Sequence, residues 1–151
     1  MMRLASLTIL LILLSILLVN PLIAEEKEEL WLTNLEAGLE RSTEQDKPVL
    51  LYFTGSDWCG WCIKLTEEVL DTDQFISYAK ENLILVKLDF PRSIQQDEET
   101  VRYNRSIMER FNVRGFPTLF ILGSDGSVIA QTGYRQGGAE RYIEHLENLM
   151  R

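Results

Sequence analysis

The feature that most constrains the fold of this chain is a pair of cysteines two residues apart, Cys59-Gly60-Trp61-Cys62, between a strand pattern and a helix pattern. Residues 49–53 before the pair form a continuous apolar, β-favouring run, which predicts a strand buried on both faces. Residues 62–69 carry apolar side chains at helical spacing. A buried strand that turns directly into a helix is typical of α/β folds.

The rest of the first half repeats this alternation. Leu35 and Leu39 lie one helical turn apart, which predicts a short helix over residues 34–44 that ends before Pro48. A further helix over residues 75–82 and a second buried strand over residues 83–88 are predicted next. Because strand, helices and strand follow one another, they form a βαβ unit with parallel strands.

The second half has a different order. The predicted elements are a loop, a helix, two strands and a last amphipathic helix, over residues 90–99, 101–112, 118–122, 127–131 and 142–149. The turn sequence Ser124-Asp125-Gly126 between the two strands favours an antiparallel hairpin. The predicted fold class is therefore α/β, with a mixed central sheet (βαβ then ββα) and helices on both faces.

The N-terminal stretch is predicted to be a targeting signal. Arg3 is the only charged residue before Glu25, and 13 of the 16 residues from 4 to 19 are apolar. This layout is typical of a secretory signal cleaved after Ala24, and an uncleaved stretch would be long enough for a membrane anchor. The chain then divides into a signal peptide or uncleaved anchor, a polar lead-in and one globular domain, over residues 1–24, 25–33 and 34–151.

The composition limits which partners and cofactors the chain is expected to bind. The chain has 15 Lys and Arg against 23 Asp and Glu, a net charge of −8, which disfavours nucleic-acid binding. Two cysteines and one histidine are too few for a four-ligand zinc site, and Ile63 stands where haem attachment requires histidine. We expect neither a metal nor an organic cofactor. The single histidine, His145, is expected to be a partly exposed helix residue without a role.

The spacing of the two thiols predicts redox chemistry. Cys59 is expected at the N-terminus of the helix, where unpaired backbone N–H groups and the helix dipole favour a thiolate. Cys62, in the first turn, is expected to be more buried. This asymmetry predicts that Cys59 is the nucleophile that attacks a substrate disulfide, and that Cys62 is the resolving thiol that releases the reduced product.

Other interpretations of this region stay open. A purely structural bridge is possible, although a four-residue loop contributes only about 2 kcal/mol of stabilisation. Trp58 and Trp61 are either packing aromatics or an apolar rim that docks an extended chain. Lys64 and Asp57 would act oppositely on the Cys59 thiolate, and both are expected to be solvated surface charges.

Two motifs give the chain a family resemblance. Trp58-Cys59-Gly60-Trp61-Cys62 follows a strand, and Gly115-Phe116-Pro117-Thr118 opens the second hairpin. In this order, over residues 34–150, they resemble the thioredoxin superfamily. Residues 53–62 and 88–92 resemble its bacterial envelope subgroup of DsbH and the C-terminal domain of DsbD. The resemblance implies a thioredoxin fold and a redox-active disulfide between Cys59 and Cys62.

The resemblance also implies roles beyond the cysteine pair. Phe116-Pro117 is expected to be a cis peptide that faces the disulfide and leaves the Phe116 backbone able to pair with a substrate strand. The pattern alone equally allows a proline at a strand start. Tyr52 stands where cytosolic thioredoxins carry a buried acid, so the proton acceptor for Cys62 is left unassigned. The expected substrate-binding residues are Trp58, Gly60, Trp61, Phe116 and Pro117.

The leading hypothesis is a thiol-disulfide oxidoreductase of the bacterial envelope that works as a disulfide reductase. The alternatives are an oxidase or isomerase that donates disulfides, and a non-catalytic binding module or chaperone. The expected partners are disulfide-containing envelope proteins as substrates and a membrane dithiol electron donor of the DsbD type, with the protein itself monomeric. The C-terminus, Asn148-Leu149-Met150-Arg151, is not an ER-retention signal, so the expected location is the periplasm, either released or anchored to the inner membrane.

Overall fold

A five-stranded sheet organises the chain. The structure is a computed structural model that describes residues 30–151. The predicted signal or anchor, residues 1–24, lies outside the described residues. The elements follow in the order β1 (Trp31–Leu32), α1 (Leu35–Gln45), β2 (Val49–Thr54), α2 (Gly60–Leu65), a π-helical turn (Thr66–Leu70), α3 (Asp73–Asn82), β3 (Ile84–Asp89), α4 (Glu98–Arg110), β4 (Thr118–Leu122), β5 (Val128–Thr132) and α5 (Gly138–Leu149).

The sheet is mixed and has the strand order β1-β3-β2-β4-β5. β3 pairs in parallel with β1 and β2, whereas β4 pairs antiparallel with both β2 and β5. This is the predicted βαβ unit followed by a ββα unit, and the α/β fold class is confirmed. As a result, the ends of β2, β3 and β5 and the start of β4 lie at one edge of the sheet, which we call the cysteine edge.

Helices cover both faces of the sheet because its central strands are apolar on both sides. α2, the π-helical turn, α3 and α5 pack on one face, where the core includes Leu50, Tyr52, Phe75 and Leu146. α1 and α4 pack on the other face, against the strand side chains that alternate with those of the first face. All six residues of β2 are buried, as the continuous apolar run predicted.

The element boundaries differ from the predictions where side chains cap the helices or tertiary pairing decides. α4 begins at Glu98 rather than at residue 101, because the Asp97 carboxylate accepts the Thr100 N–H and caps the helix. β1 falls within the stretch predicted as a polar lead-in. It has only two residues and pairs Trp31 with Leu85 of β3, so it depends on the partner strand rather than on a local pattern.

The predicted hairpin is present. Gly126 has φ of 77°, and its N–H donates to the Gly123 carbonyl in the turn between β4 and β5. A glycine accommodates this left-handed backbone without steric cost. Within residues 30–151, none of the helices is both long and apolar enough to cross a bilayer.

Candidate functional site

The two cysteines lie at the cysteine edge, where β2 turns into α2. A tight turn after β2 has the Gly55 carbonyl accepting the N–H groups of Trp58 and Cys59, at 3.3 Å and 2.9 Å. Cys59 is the N-cap residue of α2 and has extended backbone angles. The strand-to-helix placement inferred from sequence is therefore the one the structure contains.

Cys59 and Cys62 form a disulfide bond. The Cys59 sulfur also accepts the backbone N–H of Cys62 at 3.3 Å, so it occupies the capping position where helix N–H groups lack partners. Cys59 is 6% exposed and Cys62 is 1% exposed. What solvent access the pair has therefore belongs mainly to Cys59. A thiolate formed at that sulfur would face the positive end of the helix dipole.

Trp58 is held beside Cys59 by contacts on several sides. Its indole N–H donates to the Phe90 carbonyl at 2.8 Å. Its ring meets the Phe116 ring edge-on, with centroids 5.9 Å apart. The indole also lies against Gly55, where an added Cβ would come within 2.5 Å of the ring. On the ring face, the Arg92 guanidinium carbon lies 3.6 Å from the centroid. Trp58 thus links the turn before the cysteines to the loop after β3.

Asp57 ties the same two segments together. Its carboxylate accepts the backbone N–H groups of Arg92, Ser93 and Ile94 at distances from 2.6 to 3.2 Å. These hydrogen bonds hold the pKa of the Asp57 carboxyl below its usual value, and the bond from Arg92 contributes most. Asp57 was expected to be a solvated surface charge. In the structure its carboxylate instead accepts hydrogen bonds from the backbone of the loop after β3.

Trp61 has a different environment. It is 57% exposed, and its ring contacts Tyr134, with centroids 5.2 Å apart. Lys64 lies 5.6 Å from the Trp61 centroid and 5.5 Å from the Tyr134 centroid. Glu68 accepts the Tyr134 hydroxyl at 2.6 Å and pairs with Lys64 at 3.6 Å, which raises the pKa of Lys64. Lys64 is therefore engaged by Glu68 and two rings.

The Phe116–Pro117 peptide bond is cis in the structure. Phe116 stacks on Phe90 at a centroid distance of 5.2 Å, in addition to its contact with Trp58. The segment that carries Pro117 thereby meets both the cysteine turn and the loop after β3. Gly60 is exposed at the first position of α2, and an added Cβ there would meet no atom within 4 Å.

Tyr52 lies under the second cysteine. It is 1% exposed, and its hydroxyl donates to the Cys62 carbonyl at 3.4 Å. Burial raises the pKa of the Tyr52 phenol, so the group stays neutral and acts as a donor. Apart from tyrosines and cysteines, the buried polar side chains within residues 30–151 are Ser42, Thr54, Asn104 and Thr118, a set without a carboxylate.

His145 lies on α5 and contacts the end of β5. Its Nε2 is 2.8 Å from the Thr132 hydroxyl, and partial burial lowers the pKa of the imidazole. No group of three or more potential metal-ligating side chains occurs in the part of the chain that the structure describes.

Sequence reasoning missed the residues that support the site from other loops. Phe90 and Arg92 hold Trp58, and Tyr134 contacts Trp61. They come from segments 32 or more residues after the tryptophans, so no local periodicity connects them. The available signal was their position: each follows the end of a strand that reaches the cysteine edge.

Comparisons with known proteins agree with this geometry. A family model described as a thioredoxin-like domain matches residues 35–149. Disulfide bond reductase DsbH of Chlamydia pneumoniae is 36% identical over 121 residues, which cover 80% of this chain and 72% of DsbH. Thiol:disulfide interchange protein DsbD of Yersinia pestis is 28% identical over 120 residues, which cover 78% of this chain but 18% of DsbD. A solved DsbH oxidoreductase matches with a TM-score of 0.74 and 35% identity, over 80% of this chain and 83% of that one.

Proposed function

The chain belongs to the thioredoxin-like family and its thiol-disulfide oxidoreductases, and from that membership we propose that it is a disulfide reductase of the bacterial envelope. The relative with 36% identity is named a disulfide bond reductase, which favours this direction of electron flow. The observation that carries the proposal is the Cys59–Cys62 disulfide with Cys59 at the N-cap of α2. That position stabilises a thiolate on the sulfur that retains solvent access.

The proposed reaction is a two-step thiol–disulfide exchange that starts from the reduced pair. The Cys59 thiolate attacks one sulfur of a substrate disulfide, forming a mixed disulfide and releasing the other substrate sulfur as a thiolate. The Cys62 thiol then loses its proton to solvent or a base and attacks Cys59. The second substrate thiolate leaves, so the substrate gains two electrons and the protein's pair is oxidised. A dithiol donor must reduce the pair again.

The substrate-binding residues in this proposal surround the disulfide. Trp58, Gly60 and Trp61 flank the two sulfurs in sequence, and Phe116 packs against Trp58 from the segment that carries Pro117. Exposed aromatic surface next to the reactive sulfur suits an extended apolar segment. The Phe116 backbone would pair with that segment as an added strand does.

The proposed location and partners follow from the N-terminal stretch and the family. An exported domain, either released after Ala24 or retained by an anchor, would meet disulfide-containing envelope proteins as substrates. The similarity to DsbD covers 78% of this chain, and it supports a membrane dithiol of the DsbD type as the electron donor. In this proposal the domain is residues 34–151, and the protein acts as a monomer without a metal or organic cofactor.

The test is insulin reduction by the full chain in mild detergent, with dithiothreitol as the electron source. We expect wild type to accelerate insulin precipitation and Cys59→Ser to be inactive. The matched variant is Cys62→Ser, which keeps the nucleophile and should accumulate a mixed disulfide with substrate. Wild-type rates in Cys59→Ser, or failure of Cys62→Ser to trap any substrate, would contradict the proposal.

The direction of electron flow needs a separate measurement. The equilibrium redox potential of the cysteine pair against glutathione distinguishes a reductase from a disulfide donor. A value of about −270 mV fits a reductase, whereas a value of about −120 mV fits an oxidase. A non-catalytic binding module would show neither insulin reduction nor a trapped mixed disulfide.

A further inference from the structure

An exposed arginine stacks on the tryptophan that precedes the cysteine pair. The guanidinium carbon of Arg92 is 3.6 Å from the centroid of the Trp58 ring, and Trp58 directly precedes Cys59. Arg92 is exposed to solvent. A cation over an indole face is attracted by the ring quadrupole, so the Arg92 side chain has a preferred position on the ring.

Hydrogen bonds and packing hold both residues of this stack, Arg92 and Trp58. The backbone N–H of Arg92 donates to Asp57, and the Trp58 indole donates to the Phe90 carbonyl while it lies against Gly55. Because folding already restricts Arg92, binding a ligand there loses little further conformational freedom.

The donors of the Arg92 side chain are available to a partner. Within residues 30–151 this guanidinium forms no salt bridge and donates no hydrogen bond to the protein. Its planar group can bind a carboxylate through two parallel N–H···O bonds. A carboxylate bound there would lie within a residue or two of a substrate sulfur attacked by Cys59.

Four acids of the cysteine edge are already engaged by the protein. Asp57 and Asp89 accept hydrogen bonds from the neighbouring loops, Asp97 caps α4, and Glu68 is bound by Tyr134 and Lys64. Two further arginines, Arg114 and Arg135, are exposed on the loops before β4 and after β5, which meet at the same edge. These three arginines form no salt bridge within residues 30–151, although Arg114 donates to the Asn112 side chain at 3.4 Å, and they lie on a chain whose net charge is −8.

We propose that Arg92 is a specificity-determining residue that binds an Asp or Glu carboxylate next to the reactive cysteine of a partner protein. This inference rests on the proposed disulfide exchange and names the chemical class of its preferred substrates: disulfides with an acidic neighbour. Carboxylate binding would orient the substrate sulfur before attack, and the cationic edge would speed the encounter.

The experiment compares two peptide disulfides that differ in one residue, Glu or Gln beside the cysteine, and carry the same neutral self-quenching fluorophore. The measured quantity is the ratio of reduction rates, Glu peptide over Gln peptide, which cancels any general loss of activity. With the full-length wild type in mild detergent at low salt we expect a ratio of about two to five, within the range of an exposed ion pair. The ratio should fall at 0.5 M salt because screening weakens the pair.

Three variants locate the effect. Arg92→Gln should lower the ratio to about one, and Arg92→Lys, which keeps the charge but lacks the planar fork, should retain part of the preference. Arg151→Gln removes a cation at the opposite edge of the sheet and should leave the wild-type ratio. A wild-type ratio of one, or an unchanged ratio in Arg92→Gln, would overturn the inference while reduction itself stands. Reduction of neither peptide would instead contradict the proposed function and the inference with it.

Discussion

The two edges of the central sheet are built in different ways. At the cysteine edge, side chains reach between loops that are far apart in sequence: Trp58 to Phe90 and Asp57 to Arg92 span 32 and 35 residues. At the opposite edge the side-chain hydrogen bonds lie mainly within a single turn. Ser127 donates to Asp125 two residues away, and the Ser42 hydroxyl bonds the carbonyl of Lys47 five residues away.

The difference indicates what each edge must do. A local turn needs only to reverse the chain, and bonds within a few residues suffice for that. The cysteine edge must also keep a reactive sulfur and its neighbours in one arrangement, and that requires bonds between separate loops. One side-chain bond crosses the opposite edge as well, from the Lys47 ammonium to the Lys80 carbonyl, and like those of Trp58 and Asp57 it is exposed to solvent. Three variants disturb the cross-loop bonds, Gly55→Ala, Trp58→Ala and Asp57→Asn, and each is compared with a matched variant.

The largest expected effect comes from filling the space under Trp58. Gly55→Ala places a Cβ within 2.5 Å of the indole, so the ring must shift and its hydrogen bond to the Phe90 carbonyl should weaken. We expect a loss of about 1–3 kcal/mol in the free energy of unfolding, as for other overpacked sites, and slower insulin reduction. Urea unfolding and the insulin assay measure the two effects.

Gly60→Ala is the matched control for that change. Its added methyl group meets no atom within 4 Å, although it lies between the two cysteines. Stability equal to wild type in both variants would show that the Trp58 packing is not confined by Gly55.

A smaller effect is expected from truncating either tryptophan, and the two should differ in kind. Trp58→Ala removes the indole that joins two loops, so we expect a loss of about 1–2 kcal/mol in stability together with slower exchange. Trp61→Ala removes a mostly exposed ring, so stability should stay within about 0.5 kcal/mol while substrate binding, read as KM, weakens. Equal stability losses in the two variants would contradict the distinction between a tryptophan that joins two loops and one that is mostly exposed.

The smallest effect concerns acid pH. Hydrogen bonds hold the pKa of Asp57 and of Asp125 below the usual value. A lowered folded-state pKa means that the stabilisation is present above the unfolded value, near about 4, and is lost as pH falls through the folded pKa. Urea unfolding of wild type at pH 6 and pH 3 should show this loss. Asp57→Asn and Asp125→Asn should each show a shallower pH dependence.

Amide hydrogen exchange separates the two aspartates. Asp57→Asn should speed exchange at Arg92, Ser93 and Ile94, across the loop, whereas Asp125→Asn should speed it only near Ser127. Unchanged protection of residues 92–94 in Asp57→Asn would refute the cross-loop role of that carboxylate.

Most of the fold was predictable because its signals are local. The buried run at β2, the Asp-Gly turn and the cysteine spacing each lie within a few residues, and each corresponds to an observed element. β1 could not be predicted, because two residues have no pattern until β3 provides a partner. The start of α4 was misplaced by three residues, since the Asp97 cap extends that helix into a polar stretch.

The sequence by itself determined the chemistry: two thiols one helical turn apart after a buried strand, with tryptophans at fixed positions beside them. Covalent spacing and helix geometry are sufficient to bring Cys59 and Cys62 together. Only the tertiary structure decided which tryptophan is hydrogen-bonded between two loops and which is the more exposed, and that Asp57 binds the backbone of Arg92 in the loop after β3. Those contacts depend on how the strands order in the sheet, because they connect segments that no local pattern relates.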